Sequence, residues 1–251
     1  MRNGLRGVVF SDADSAFDGA HPAEWPIAAR GLADLGRDGV AVVLCSMKTH
    51  ADVEEIQHGL GCCEPCVVER GSAALIPDGY FPGALLKVPA VGGFRTLEFG
   101  LRRDALLPTL YRTAALELVE IVGLRDLSLE QIAVECGLPL HRARSISQRA
   151  YSEWFRLLNP NGIAHARLWR ALRANGLKCT VLEGLNGFWQ VDASPGFGSA
   201  IAGLRLLYAG VPSIVYSSNA PDLRWWIASL ARIASDLDAK HASETVGQLR
   251  P

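Results

Sequence analysis

The amino-acid sequence predicts an α/β protein, with a Rossmann-like parallel sheet as its core and a separate α+β unit inserted into it. Three observations carry this. Short apolar runs at residues 8–10, 40–45, 66–68 and 213–216 have the pattern of strands buried on both faces. Helical periodicity fills most intervals between them, as the crossovers of parallel strands require. From about Gly83 that alternation loosens, and it resumes only after Asp192. The chain of 251 residues is 49% hydrophobic, with 25 Lys+Arg against 26 Asp+Glu, so it has length for a large core and no charge excess for a polyanion. Neither nucleic acid nor a membrane is an expected partner. The N-terminus runs into a core strand without a signal-peptide pattern, and no apolar run reaches about 18 residues, so cytoplasmic residence is expected.

After the first strand comes a loop from about Phe17 to Trp25, then a helix that Pro26 is placed to start, since a first-turn proline loses no hydrogen bond. Ile27, Ala28, Leu32 and Leu35 recur at helical spacing as its buried face. Gly39 is the expected terminator, with fraying from Gly36 as the alternative. The second strand ends in Ser46-Met47-Lys48-Thr49, a helix over about 51–60 follows, and the third strand ends at Glu69-Arg70-Gly71-Ser72. In the inserted unit, residues 94–99 read as an edge strand, and Leu107, Leu110, Ala114, Leu118 and Ile121 mark a long amphipathic helix. Ser128 with Gln131 three residues on has the order of a capping box, and Gly137-Leu138-Pro139 ends that helix.

A second short helix carries the basic cluster 142–149, read as a solvated face. Residues 151–158 form a strand, 164–174 a helix closed by Asn175-Gly176, and 177–182 and 187–191 a pair of strands. Gly196-Phe197-Gly198-Ser199 opens a helix carrying Ile201, Leu204 and Tyr208. Trp225-Trp226 on the last helix reads as core or subunit contact, which admits a homodimer. The expected division is a core of residues 1–82 and 190–251 and an inserted unit of residues 83–189.

The first strand ends in Ser11-Asp12-Ala13-Asp14. Ligands bind beyond the carboxyl ends of such strands, so two carboxylates there point to a reaction centre. If the chain stays extended, Asp12 and Asp14 face the same side. The pair suits a hard cation, or a nucleophilic carboxylate with an acid/base partner one step along; the alternative is that Asp14 caps the next segment. Cys63 and Cys66 have a spacing at which two thiolates can share zinc, but no further ligand pair follows, so Cys62, Cys63 and Cys66 are expected as reduced thiols. Cys45 and Cys179 read as small core residues.

These strand ends, in this order and with an α+β insertion, resemble the haloacid dehalogenase (HAD) superfamily of phosphohydrolases. Within it the resemblance is to the mannosyl-3-phosphoglycerate phosphatase branch, and it runs from about Val8 to Trp226. Ser46-Met47-Lys48-Thr49 looks like the second motif of that branch. Val68-Glu69-Arg70-Gly71-Ser72-Ala73 looks like its Glu-Asn-Gly segment with Arg70 in place of Asn, and Arg149-Ala150-Tyr151-Ser152-Glu153-Trp154-Phe155 resembles a substrate-facing stretch of its cap. The resemblance implies a HAD core with an inserted α+β cap. It implies that Asp12 is the nucleophile forming an aspartyl-phosphate and Asp14 the general acid/base, with Ser46 and Lys48 on the phosphate. Arg149, Ser152 and Glu153 would contact the substrate from the cap, and Asp12, Asp14 and Asp222 would hold Mg²⁺. The implied substrate is a small phosphorylated metabolite, sugar- or glycerate-like.

Four positions depart from the family pattern. Phe197 stands where the family has a lysine, Ser218 where it has a metal-ligating carboxylate, Ser15-Ala16 where it has Gly-Thr, and Leu185-Asn186-Gly187 where it has Gly-Gly-Arg. A weakened Mg²⁺ site follows, with Lys48 or Lys178 as the candidate replacement cation. Two readings therefore stand: a Mg²⁺-dependent phosphatase resting on Asp12, Asp14, Ser46 and Asp222, and a non-catalytic descendant that keeps the cleft as a ligand- or partner-binding module.

Overall fold

The computed structural model describes residues 4–12, 14–18, 20–82, 86–159, 162–216 and 220–247, with side chains described to Leu237. Its larger sheet has six strands in the order β10-β1-β2-β3-β4-β5: β1 (Gly7–Asp12), β2 (Val40–Cys45), β3 (Cys66–Val68), β4 (Ala73–Pro77), β5 (Phe94–Glu98) and β10 (Ser213–Tyr216). The first three and β10 run parallel, β4 runs antiparallel to β3, and β5, antiparallel to β4, takes up their direction again. The chain goes from β1 towards β3 on one side and places β10 on the other, so the sheet reverses its strand order beside β1, the kind of position where open α/β sheets bind ligands.

Helices cover both faces, which is why the central strands are apolar throughout. On one face Val9, Val42 and Leu44 pack against α2 (Trp25–Arg37), α3 (His50–Leu60) and α9 (Leu223–Gly247). On the other, Val8, Phe10 and Val43 pack against α8 (Phe197–Leu207) and Tyr208. Trp226 is fully buried and donates its indole N–H to Ser11 Oγ at 2.9 Å, whereas Trp225 is exposed. No helix of the described residues is long and apolar enough to cross a membrane.

A smaller antiparallel sheet has the order β6-β7-β9-β8, from β6 (Ile121–Gly123), β7 (Ser152–Leu157), β9 (Trp189–Asp192) and β8 (Lys178–Val181). One face packs on α4 (Arg103–Leu116) and α7 (Gly162–Ala174) through Leu110, Phe155 and Leu172. The other packs Trp154 and Phe188 on α5 (Leu129–Cys136) and α6 (Leu140–Ser147). The capping box at Ser128 and Gln131 is present, and Gly137 closes α5 in the left-handed region.

Four elements differ from expectation. The helix marked out to Ile121 stops at Leu116: Leu118 turns to φ +54° and is exposed, and residues 121–123 become an edge strand of the smaller sheet. The loop expected over 17–25 contains the end of a short helix, α1 (Asp14–Asp18), and a 3₁₀ turn at Pro22–Glu24. Ile27 is exposed, because it lies off the stripe that Ala28, Leu32 and Leu35 bury. The expected edge strand at 94–99 is β5, and it belongs to the larger sheet.

Candidate active site

Asp12 ends β1 opposite Cys45, so it emerges at the sheet edge beside the segment 46–49. The chain then turns rather than staying extended, and α1 begins at Asp14. Asp12 Oδ1 accepts the Asp14 N–H at 3.0 Å. The Asp14 carboxylate reaches across to the end of β2, where it accepts the Ser46 hydroxyl at 2.5 Å and the Met47 N–H at 2.7 Å. It therefore holds two strand ends together rather than capping its own helix. Burial keeps the Asp14 carboxyl above its ordinary value, although the Met47 and Ser46 hydrogen bonds and nearby Lys48 pull the other way. A carboxyl tuned upward suits a group that must both give and take a proton near neutral pH. Ser46 Oγ also accepts the Lys48 N–H at 3.0 Å, and Lys48 Nζ pairs with Asp18.

Asp14, Lys48 and Arg70 from the larger sheet, and Arg142, Arg149 and Trp154 from the smaller unit, line one cleft of about 520 Å³. A side chamber of about 260 Å³, walled by Phe17, Trp25 and His141, shares Asp18, Lys48, Asp52 and Arg142 with it.

The two units meet through polar contacts around this cleft. Glu69, which follows β3 at φ +44°, is buried and accepts the backbone N–H groups of Ala150 and Tyr151 at 2.7 and 3.1 Å and the Ser152 hydroxyl at 2.6 Å. Arg149 lies 3.9 Å from Glu69, donates to Ser152 Oγ at 3.0 Å and stacks 4.4 Å over Trp154. Its Nε is buried with no hydrogen-bond partner among the described residues. Arg142 donates to Asp52 at 3.0 Å, and Thr49 Oγ1 meets Ser145 Oγ at 3.1 Å. The basic cluster is therefore not a solvated face: two of its arginines pair with carboxylates of the larger unit, Asp52 in the first turn of α3 and Glu69 after β3, pairings that sequence distance conceals. Gly71 makes the loop packing possible, since at its φ of +87° an added Cβ would lie 2.5 Å from the Gly196 backbone.

Burial alone would raise the Asp52 carboxyl, but hydrogen bonds from Ser145 and Thr49 and the Arg142 guanidinium outweigh it and hold Asp52 below its ordinary value. A depressed folded value contributes stability above the unfolded pKa of about 4, and this is lost as pH falls through the folded value. Asp52→Asn is thus expected to be about 1 kcal/mol less stable than the wild type near neutral pH. The gap should close in acid. Urea unfolding of both proteins across that range checks it, and a gap independent of pH would contradict it.

Of the residues the sequence singled out, the structure brings Asp14, Lys48 and Arg149 to one cleft, with Asp12 and Ser46 bonded to Asp14. Ser152 faces Glu69. Glu153 is not brought there: it is fully buried, pairs with Arg103 and accepts the Arg125 N–H at 3.3 Å, because alternate residues of β7 point to opposite faces. Asp222 uses its carboxylate to accept the Trp225 N–H at 2.7 Å, at the start of α9. Ser218 lies outside the described residues. Lys178 donates to the Ser194 carbonyl at 2.6 Å and does not line the cleft. The oxygen donors Asp12 and Asp222 are of a kind a hard cation accepts, yet among the described residues no three His, Cys, Asp or Glu side chains converge as a ligand set. The cysteines are free, and burial pushes the Cys66 thiol up to about 12. Glu69 and Arg70 entered the sequence reading only as part of a family-like segment, and Asp52 and Arg142 were given no site role, although the first two stand at a strand end where ligands are expected.

Solved structures share the fold. A haloacid dehalogenase-like hydrolase from B. subtilis superposes with a TM-score of 0.50, at 14% identity, over 87% of this chain and 86% of that one. A Thermoplasma acidophilum protein gives 0.51 at 13% identity, over 86% and 79%. The fold is that of the HAD superfamily. No protein-family profile matches the chain. A mannosyl-3-phosphoglycerate phosphatase from Pyrococcus furiosus is 30% identical over 213 residues, covering 82% of this chain and 80% of its own. A glucosyl-3-phosphoglycerate/mannosyl-3-phosphoglycerate phosphatase from Methanococcoides burtonii is 26% identical over 204 residues, covering 81% and 74%. The chain belongs to the mannosyl-3-phosphoglycerate phosphatase family of the HAD superfamily. These relatives lend the non-catalytic reading no support.

Proposed function

We propose that this protein is a phosphatase that cleaves the phosphate ester of a hexosyl-3-phosphoglycerate, taking the substrate class from its relatives' names. One observation carries the reading: Asp12 stands at the end of β1 with Asp14 pinned beside it by Ser46 and Met47, and Asp14 opens into a cleft lined by cations from both units. Asp12 attacks phosphorus, the bond to the glycerate 3-oxygen breaks, and Asp14 gives its proton to the departing alkoxide. Water then attacks the aspartyl-phosphate, Asp14 takes its proton, and inorganic phosphate leaves. Ser46 turns its hydroxyl from Asp14 to a phosphate oxygen when the ester binds, while Lys48, paired with Asp18, adds little net charge. The buried Nε of Arg149, unpartnered among the described residues, is a donor ready for an anionic substrate group on the cap side. Asp12, the Asp14 carbonyl and Asp222 are the donors proposed for Mg²⁺, which when bound would screen the repulsion between carboxylate and phosphate.

The inserted unit acts as the cap. Sheet membership supports placing its ends near residues 99 and 192 rather than at 83 and 189. The joined main and side chambers suit a substrate with two parts, a hexose and a phosphoglycerate. Phosphate release from mannosyl- and glucosyl-3-phosphoglycerate, measured beside simple hexose phosphates, tests this. Turnover of the hexosyl-phosphoglycerates that a chelator stops and Mg²⁺ restores is expected; none on any of them would overturn it.

A further inference from the structure

A phosphate ester entering this cleft meets the carboxylate of Asp14, to which Asp12 is bonded, so a fixed cation on the same rim is needed to receive it. Four cations line the cleft, and two are already neutralised at contact distance: Lys48 by Asp18, and Arg142 by Asp52. Arg149 sits on the cap side, 5% exposed. Arg70 differs from all three. It rises from the larger sheet's own edge, its side chain is 33% exposed, and its nearest carboxylate, Asp192, is 3.9 Å away and already accepts Gln190 and the Ser194 N–H.

Its backbone is fixed on both sides. The Arg70 N–H donates to the Ser46 carbonyl at 3.2 Å, and its carbonyl accepts the Ser194 hydroxyl at 2.7 Å. The residue holds φ +61° and ψ +28°, a left-handed conformation that suits Asn or Gly and is unfavourable for a long side chain. An unfavourable backbone is kept where the side chain has work to do. The next residue, Gly71, packs against the backbone of Gly196 and Phe197, so Arg70 springs from the loop touching the position that holds Phe197.

We infer that Arg70 is the phosphate-receiving cation of this site, supplying from the loop after β3 the charge that Phe197 cannot supply from the start of α8. The guanidinium is held ready by one neutral bond, NH1 to Thr180 Oγ1 at 2.7 Å, and would exchange it for a phosphate oxygen. The inference refines the proposed phosphatase reading and rests on it only for turnover.

The test is the inhibition constant of inorganic phosphate where there is turnover, and its dissociation constant by titration calorimetry in any case. Arg70→Met is expected to weaken phosphate at least about tenfold, the effect of losing one hydrogen bond to a charged group, with an unchanged melting temperature. Arg70→Lys should stay within a few-fold of wild type. Phe197→Lys placed on Arg70→Met should recover most of the loss, which a mere tether to Thr180 would not allow. If the double variant melts early, Arg70→Lys alone decides. Phosphate binding unchanged in Arg70→Met, or as weak in Arg70→Lys as in Arg70→Met, would overturn the inference. Should the wild type hydrolyse nothing yet bind phosphate through Arg70, the phosphatase reading fails and this one stands.

Discussion

Asp12→Asn should lower phosphate release by at least about four orders of magnitude, the scale seen when a covalent nucleophile is removed. Asparagine matches the shape and keeps an oxygen to accept the Asp14 N–H, so the bond at 3.0 Å that starts α1 survives. What disappears is the anionic oxygen that attacks phosphorus. The circular-dichroism spectrum and melting temperature are therefore expected to stay those of the wild type while the steady-state rate collapses. A rate within tenfold of wild type would show that Asp12 is not the attacking group. Asp14→Asn would be a poorer probe, since Asp14 also joins the ends of β1 and β2 through Ser46 and Met47.

Glu69→Ala is expected to have the largest effect on stability. Glu69 is 2% exposed, and its two oxygens receive two backbone N–H groups and the Ser152 hydroxyl, with the Arg149 guanidinium alongside. Alanine leaves three donors without an acceptor and a buried arginine without its counter-charge. Breaking a buried pair by removing one partner costs about 3–5 kcal/mol. Glu69→Gln should cost less, because one amide oxygen still serves Tyr151 and Ser152 while the amide nitrogen faces the Ala150 N–H. Denaturant unfolding of the three proteins measures the order, and a loss under about 1 kcal/mol in Glu69→Ala would contradict it.

The fold was legible where physical chemistry acts locally. Strands buried on both faces must be apolar from end to end, so β1, β2 and β3 stood out, and the polar residue that follows each marked the sheet edge. Ser128, Gln131 and Gly137 announced α5 because capping satisfies backbone groups within a few residues. β4 was less legible: Ala73–Pro77 follows a tight turn after β3 and pairs antiparallel with it, outside the strand-helix-strand rhythm. The end of α4 was hidden because Leu118 and Ile121 continue the helical spacing, while the chain turns at Leu118.

At the site, Asp12, Asp14 and Ser46 could be found from strand ends alone. The contacts joining the two units could not, since Asp52 meets Arg142 and Glu69 meets Ala150 across a fold that pattern does not reveal. Arg149 and Ser152 were expected to face a substrate; in the structure Arg149 lines the cleft, and both serve the Glu69 junction, in which Ser152 is fully buried. Glu153 followed its neighbours in sequence but not in space, because a strand sends adjacent side chains to opposite faces.

The most direct measurement is acid quenching of a single turnover on mannosyl-3-phosphoglycerate, followed by mass spectrometry of the peptide that contains Asp12. A phosphorylated Asp12 that appears before inorganic phosphate and decays with its release is the predicted result. Full turnover with no phosphoryl group on Asp12 at any time, and with Asp12→Asn still active, would contradict it.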